Sequence, residues 1–211
     1  AYEIPWSDWS SDVCSSGSMN SKYRYFVPLA FFVLLFLIVS VASFYFLPEG
    51  ILKEVNVDKD VSDNTSFLMN VFSVLTRNVI VVFFFCIGNL VAIRTSRFTV
   101  PMGYFGVGLM IIVNGITLGT WSFSARNDGR PSSVIDILMH NFDVVNNAGL
   151  VEMLGALFVV IALGGLNYLI IEKGKLLKCK FTSLNPFEWF FACTGIMMIV
   201  LGALIEAKAL G

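Results

Sequence analysis

Long uncharged runs, separated by shorter segments that hold most of the charged residues, dominate this 211-residue chain. A helix needs about 20 apolar residues to cross the hydrocarbon core of a bilayer. The pattern therefore predicts about five transmembrane helices. Their expected bounds are 26–46, 75–94, 100–122, 149–171 and 187–206.

Two connecting segments also carry apolar residues at helical spacing. The first is 64–76, and the second is 133–147, where Ser133-x-x-Asp136 resembles a capping box after Pro131. Both are predicted to be external amphipathic helices, which either lie on the membrane surface or simply cover the ends of the bundle. The expected fold class is all-α: a polytopic helical membrane bundle plus two external amphipathic helices.

The basic residues orient the predicted spans. Cytoplasmic links are enriched in Lys and Arg, and eight of the 14 basic residues fall on one side if the N-terminus is cytoplasmic. These eight are Lys22, Arg24, Arg94, Arg97, Lys173, Lys175, Lys178 and Lys180. The expected topology is multi-pass, with a cytoplasmic N-terminus and an external C-terminus.

The first 18 residues differ in character from the rest. Residues 8–16 read DWSSDVCSS, which resembles the in-frame translation of a sequencing adapter, and Met19 follows a Gly-Ser pair. We expect residues 1–18 to be a non-native leader and 19–211 to form a single membrane domain. The alternative is a short, polar, extramembrane N-terminus.

The amino-acid composition limits the classes of function that the protein can have. Hydrophobic residues make up 56% of the chain and charged residues 14%, against about 45–50% and 25% in soluble domains, which excludes an ordinary water-soluble enzyme. A net charge of −1 argues against nucleic-acid binding. One His and four Cys without a C-x-x-C pair leave few ligands for a metal, so no metal or other cofactor is expected. Familiar hydrolase and nucleotide-binding motifs are missing from the sequence, and we expect no enzymatic activity.

Polar residues inside apolar spans are the candidate functional residues, because they are costly in a bilayer and usually face the bundle interior. Counting from the helix ends places Asn78, Asn114 and Glu152 in the outer half of the bundle, with Arg77 beside them. They form either a polar centre that binds a partner or substrate, or a hydrogen-bonded cluster that locks three helices together. Sequence alone leaves both interpretations open.

Glycines in the same spans predict close helix packing. Gly115 and Gly119 form a G-x-x-x-G motif on the helix that carries Asn114, and Gly149 lies near Glu152. Such a motif serves either packing within one chain or formation of a homodimer.

The chain contains, in this order, the segments LTRNVIVVFFFCIGN, IVNGITLG and NNAGLVEMLGALF. Together they resemble the stage II sporulation protein M (SpoIIM) family of bacterial and archaeal membrane proteins. LTRNVIVVFFFCIGN, which contains Asn78, resembles the family's Asn-initiated helix, and IVNGITLG resembles its N-G-x-x-L-G core through Asn114, Gly115 and Gly119. NNAGLVEMLGALF resembles its H-G-x-x-E segment through Gly149 and Glu152. The family's His falls on Ala148, so a role that needs a His–Glu pair would be missing.

The resemblance implies a non-enzymatic scaffold in a prokaryotic cytoplasmic membrane. The founding member is similar to a scaffold that recruits cell-wall hydrolases, and other relatives resemble membrane subunits of transport systems. Our hypothesis is a scaffold or assembly subunit that sits in the lipid bilayer and gathers cell-envelope proteins on its external face. The alternative is a permease-like subunit whose link at 172–180 docks a cytoplasmic ATPase. It would need to form a homodimer in order to enclose a pathway.

Overall fold

Helices dominate the computed structural model, which describes residues 23–52, 67–95, 99–122, 130–141, 148–166, 168–172, 175–178 and 183–210. The expectation of a mainly helical fold is confirmed. The helices of this part of the chain are α1 (Tyr23–Phe46), α2 (Phe67–Gly88), α3 (Gly103–Gly119), α4 (Val134–Asn141), α5 (Ala148–Leu163) and α6 (Pro186–Leu210). Its strands are β1 (Val91–Arg94), β2 (Thr99–Pro101), β3 (Leu169–Glu172) and β4 (Lys175–Lys178). The predicted leader at 1–18 lies outside the described residues.

Three of these helices are long and apolar enough to cross a membrane. They cover Tyr25–Phe46 in α1, all of α2, and Pro186–Lys208 in α6. The helices α3 and α5 are also apolar but contain only 17 and 16 residues. The chain is thus a helical, membrane-associated protein with three candidate spans of full length.

The second helix differs from its prediction at both ends. It occupies Phe67–Gly88, where a span at 75–94 was expected. Most of the segment 64–76 is therefore the first part of α2 and not a separate amphipathic helix, while 64–66 lies outside the described residues. Arg77 interrupts the apolar run but not the helix, because arginine is a good helix former. Its guanidinium pairs with Glu206 on α6.

The second predicted amphipathic helix is shorter than expected. It forms α4 over Val134–Asn141, and 142–147 lies outside the described residues. The backbone N–H of Ile135 donates to Ser133 Oγ at 3.1 Å, so Ser133 caps the helix. Ile137 is buried against the bundle, whereas Ile135 and Met139 are exposed.

A small sheet, absent from the sequence prediction, joins the two links that were expected to be loops. Its strand order is β2-β1-β3-β4, with β1 and β3 parallel at the centre and an antiparallel hairpin on each side. Predicted spans 75–94 and 149–171 ran into these strands, because hydropathy does not separate an apolar strand from a helix end. Since the two hairpins pair, both lie at the same end of the bundle.

The central helix of the bundle is α5. Nine of its residues are buried, and α1, α2, α3 and α6 all contact it. Its closest neighbour is α6, where a Cβ atom on Gly195 would lie 2.6 Å from the carbonyl oxygen of Gly155. Only glycine permits this approach of the two backbones.

The G-x-x-x-G motif packs α3 onto α1 within the same chain. A Cβ atom on Gly115 would lie 2.9 Å from Val39 Cγ1, and one on Gly119 would overlap the backbone oxygen of Ser40. Gly149, in contrast, is exposed on α5. The motif residues are thus occupied by α1 and do not form a free surface.

The first turn of α6 is fixed by a network that the sequence analysis missed. The N–H of Glu188 donates to Asn185 Oδ1, and the N–H of Asn185 donates to Glu188 Oε2, both at 2.9 Å. This is a capping box with Pro186 at the first helical position. Tyr25 of α1 donates its hydroxyl to Glu188 Oε1 at 3.0 Å, which ties α1 to α6 at this end.

We expect Gly195→Ala to destabilise the protein in detergent by about 1–3 kcal/mol, because the added methyl group must push α5 and α6 apart. Thermal unfolding of the purified full chain would measure this. The matched control is Gly149→Ala, since that glycine is exposed and gains the same helix propensity. Equal or higher stability of Gly195→Ala would contradict the tight α5–α6 contact.

Candidate functional site

A cavity of about 250 Å³, open on one side, lies between α2, α3, α5 and α6. It brings together the three polar residues that the sequence analysis singled out, Asn78, Asn114 and Glu152. Its lining residues are Arg77, Asn78, Val81, Val82, Met110, Asn114, Gly149, Glu152, Met153, Ala156 and Ile199. The wall is therefore mostly apolar, with a few polar groups that converge from three helices, which is typical of a small-ligand site.

Glu152 is the main acidic group of the cavity, and one of its oxygens has no partner. Its Oε1 is buried and accepts no hydrogen bond from any described residue. The Asn78 side chain is close enough to interact with this carboxyl group, although Asn78 Nδ2 makes no hydrogen bond of ordinary geometry to a described residue. A buried, unpaired acceptor and donor are each costly, so the site contains unused hydrogen-bonding capacity.

Asn114 does not join its neighbours in a network between helices. Its Nδ2 donates to the Met110 carbonyl oxygen on the same helix at 2.8 Å. Asn114 thus adds no hydrogen bond between helices to the site. Asn89 makes such a bond elsewhere, since its Nδ2 donates to the Val160 carbonyl oxygen on α5 at 2.8 Å.

An ion pair lies at the edge of the cavity. Arg77 Nη2 donates to Glu206 Oε1 at 2.9 Å, linking α2 to α6. Arg77 and Glu206 are both near enough to act electrostatically on Glu152. The Arg77–Glu206 pair therefore lies next to the Glu152 carboxyl group and links α2 to α6 at the cavity edge.

Gly202 makes room for the acid and was not recognised as a site residue. A Cβ atom on Gly202 would overlap Glu152 Cγ, so α6 must carry a glycine where the Glu152 side chain crosses it. Gly149 lines the cavity on the α5 side. The sequence showed Gly202 only as one of several glycines in the last span, and nothing local linked it to Glu152.

The site offers binding groups and no nucleophile with a neighbouring base. Its polar set is a carboxylate, two amides and a guanidinium. Within the described ranges, no three His, Cys, Asp or Glu side chains come together as a metal site would require. The arrangement is suited to recognising a polar or charged group by hydrogen bonds and charge.

Comparisons with known proteins found no matching protein-family model, no matching curated protein and no matching solved structure.

We expect the Arg77–Glu206 pair to show coupling. Arg77→Gln and Glu206→Gln each remove the ion pair that joins α2 to α6, so each should destabilise the chain modestly. The double variant should lose less stability than the sum of the two single losses in thermal unfolding. Arg77→Gln with Asp136→Asn is the control pair, because Asp136 is an exposed acid on α4 outside the cavity and the two changes should act almost additively. Additive losses at Arg77 and Glu206 would contradict the pairing.

Proposed function

We propose that the protein is a five-span membrane protein whose two hairpins lie in the cytoplasm. Chain direction supports this topology, because pairing of the hairpins puts the ends of α2 and α5 and the starts of α3 and α6 at one end. The start of α1 joins the same end through the Tyr25–Glu188 bond. The short α5 fits within such a bundle, since protein surrounds it and it need not match the full bilayer thickness.

Exposed side chains agree with this placement. Apolar residues cover the outward faces of the long helices, as in Phe31 and Ile38 on α1, Phe83 on α2, and Phe190 and Met197 on α6. A lipid environment removes the cost that these faces would carry in water. The basic hairpin residues favour the cytoplasmic side for this end, which gives an external C-terminus.

Cysteine labelling tests the topology. In a chain whose native cysteines are replaced, Ser132→Cys before α4 should react with a membrane-impermeant maleimide in intact cells. Thr95→Cys in the first hairpin should react only after permeabilisation. Both positions are exposed, so lack of labelling would report sidedness and not burial. Labelling of both from the same side would contradict five spans.

We propose further that the chain is a non-enzymatic assembly subunit of the SpoIIM type. The observation that carries this proposal is α4, which leaves Ile135 and Met139 exposed at the end opposite the hairpins while Ile137 anchors the helix. Exposed apolar side chains on a short anchored helix suit a partner protein's surface. On this proposal the partners are cell-envelope proteins such as cell-wall hydrolases.

A permease-like subunit is the second candidate, and two features favour it. The polar cavity is one, since a transport pathway needs polar groups within the bundle. The other is the sheet, whose edge strand β4 belongs to the link proposed to dock an ATPase. Leu176 on that strand is exposed.

A pull-down from native membranes with three forms of the full chain separates the two candidates. The forms are the unmodified chain, Ile135→Ser with Met139→Ser on α4, and Leu176→Ser on β4, all of them changes to exposed side chains. The assembly proposal predicts that cell-wall hydrolases are recovered and that only the α4 variant loses them. Recovery of an ATPase that only Leu176→Ser releases would support the permease-like subunit instead. Recovery of no partner would contradict both.

A further inference from the structure

We propose that the cavity between α2, α3, α5 and α6 binds the protonated amine of a ligand with a short apolar body. This site would exist whether the chain assembles partners or takes part in transport. The inference rests on the charge, the unused hydrogen-bonding atoms and the apolar wall of the cavity.

The acidic side chain in the cavity favours a cationic ligand. Arg77 is paired with Glu206 at 2.9 Å, and Glu152 is the acid that lines the cavity itself. A ligand with one positive charge would neutralise the site, whereas an anion would add a second unpaired charge in a poorly solvated region.

Hydrogen bonding favours an ammonium group among the cations. An ammonium carries several donors, and Glu152 Oε1 is a buried acceptor without a partner. Asn114 uses its Nδ2 on the Met110 carbonyl, which leaves its Oδ1 as the remaining acceptor of that amide. The donor Asn78 Nδ2, also unpaired, suits an oxygen on the ligand next to its amine, as in an amino alcohol.

The size and apolar character of the wall argue for an organic cation. A volume of about 250 Å³ is several times the ~30 Å³ that one water occupies in the liquid. Hard metal cations prefer six or more oxygen ligands, but this wall consists largely of Val, Met, Ala and Ile side chains. Val81, Val82 and Ile199 would contact the body of an alkylammonium.

Binding of hexylammonium chloride to the purified full chain in non-ionic detergent tests the proposal. Ligand that binds the folded state raises its thermal stability, so the shift in unfolding temperature can be titrated. Hexan-1-ol and sodium chloride are the ligand controls, because one lacks the charge and the other lacks the apolar body. We expect saturable stabilisation by hexylammonium and none from the controls.

Three variants test whether the ligand binds in this cavity. Glu152→Gln keeps the shape and removes the charge, so affinity should fall about tenfold or more. Gly149→Leu fills part of the cavity without altering its charge and should also weaken binding. Asp136→Asn on α4 is the control, since it removes an exposed acid outside the cavity and should leave affinity unchanged.

Lipid vesicles distinguish a lipid headgroup from a free amine as the natural ligand. If the natural ligand is a lipid headgroup with a primary amine, hexylammonium should bind less tightly to the protein in phosphatidylethanolamine vesicles than in phosphatidylcholine vesicles. Equal binding in both would indicate a free amine. The proposal would be overturned if hexan-1-ol or sodium chloride stabilised the protein as much as hexylammonium does, or if Glu152→Gln kept full affinity. Neither outcome would change the interpretation of the pull-down experiment.

Discussion

Close packing of α5 against α6 is the constraint on which the rest of the bundle depends. The two backbones meet at Gly155 and Gly195, where neither helix has room for a Cβ atom. In a bilayer the hydrophobic effect does not drive helices together, so close van der Waals contact has to hold them. With α6 fixed on one side, α5 is buried on nearly every face and becomes the surface on which α1, α2 and α3 pack.

This arrangement also accounts for the cavity. Gly202 continues the close contact toward the other end of α6 and lets the Glu152 side chain cross between the helices. An acid with an unpaired oxygen is costly in such a place, and it persists because the surrounding packing holds it there. Local disagreement between a residue and its environment is what functional sites commonly show.

Sequence reasoning predicted the helical fold, and it grouped Asn78, Asn114 and Glu152, which line one cavity in the structure. Counting depth from helix ends succeeds because the rise per residue in a helix is constant. The ends of the helices were harder to predict. Val91 and Ile93, or Ile170 and Ile171, are as apolar as a membrane helix, and only their pairing across two distant links makes them strands.

Contacts between distant helices were beyond the reach of a single sequence. The Arg77–Glu206 pair and the Tyr25–Glu188 bond each join residues more than 100 positions apart. The capping box at Asn185 and Glu188 is local and was visible as a spacing, so the start of α6 was within reach of sequence reasoning. The bond from Tyr25 to Glu188 could not be predicted in this way, because only the fold brings α1 to α6.

The helices α2 and α5 lead into the sheet at one end and line the cavity farther from it. Pairing of β1 with β3 fixes the ends of α2 and α5 side by side, and Asn89 adds a bond from the end of α2 to Val160. Toward their other ends the same two helices border the cavity, where Asn78 and Glu152 lie side by side without a bond between the helices at Nδ2 or Oε1. The polar groups that line the cavity therefore lie away from the sheet, where the Arg77–Glu206 pair joins α2 to α6.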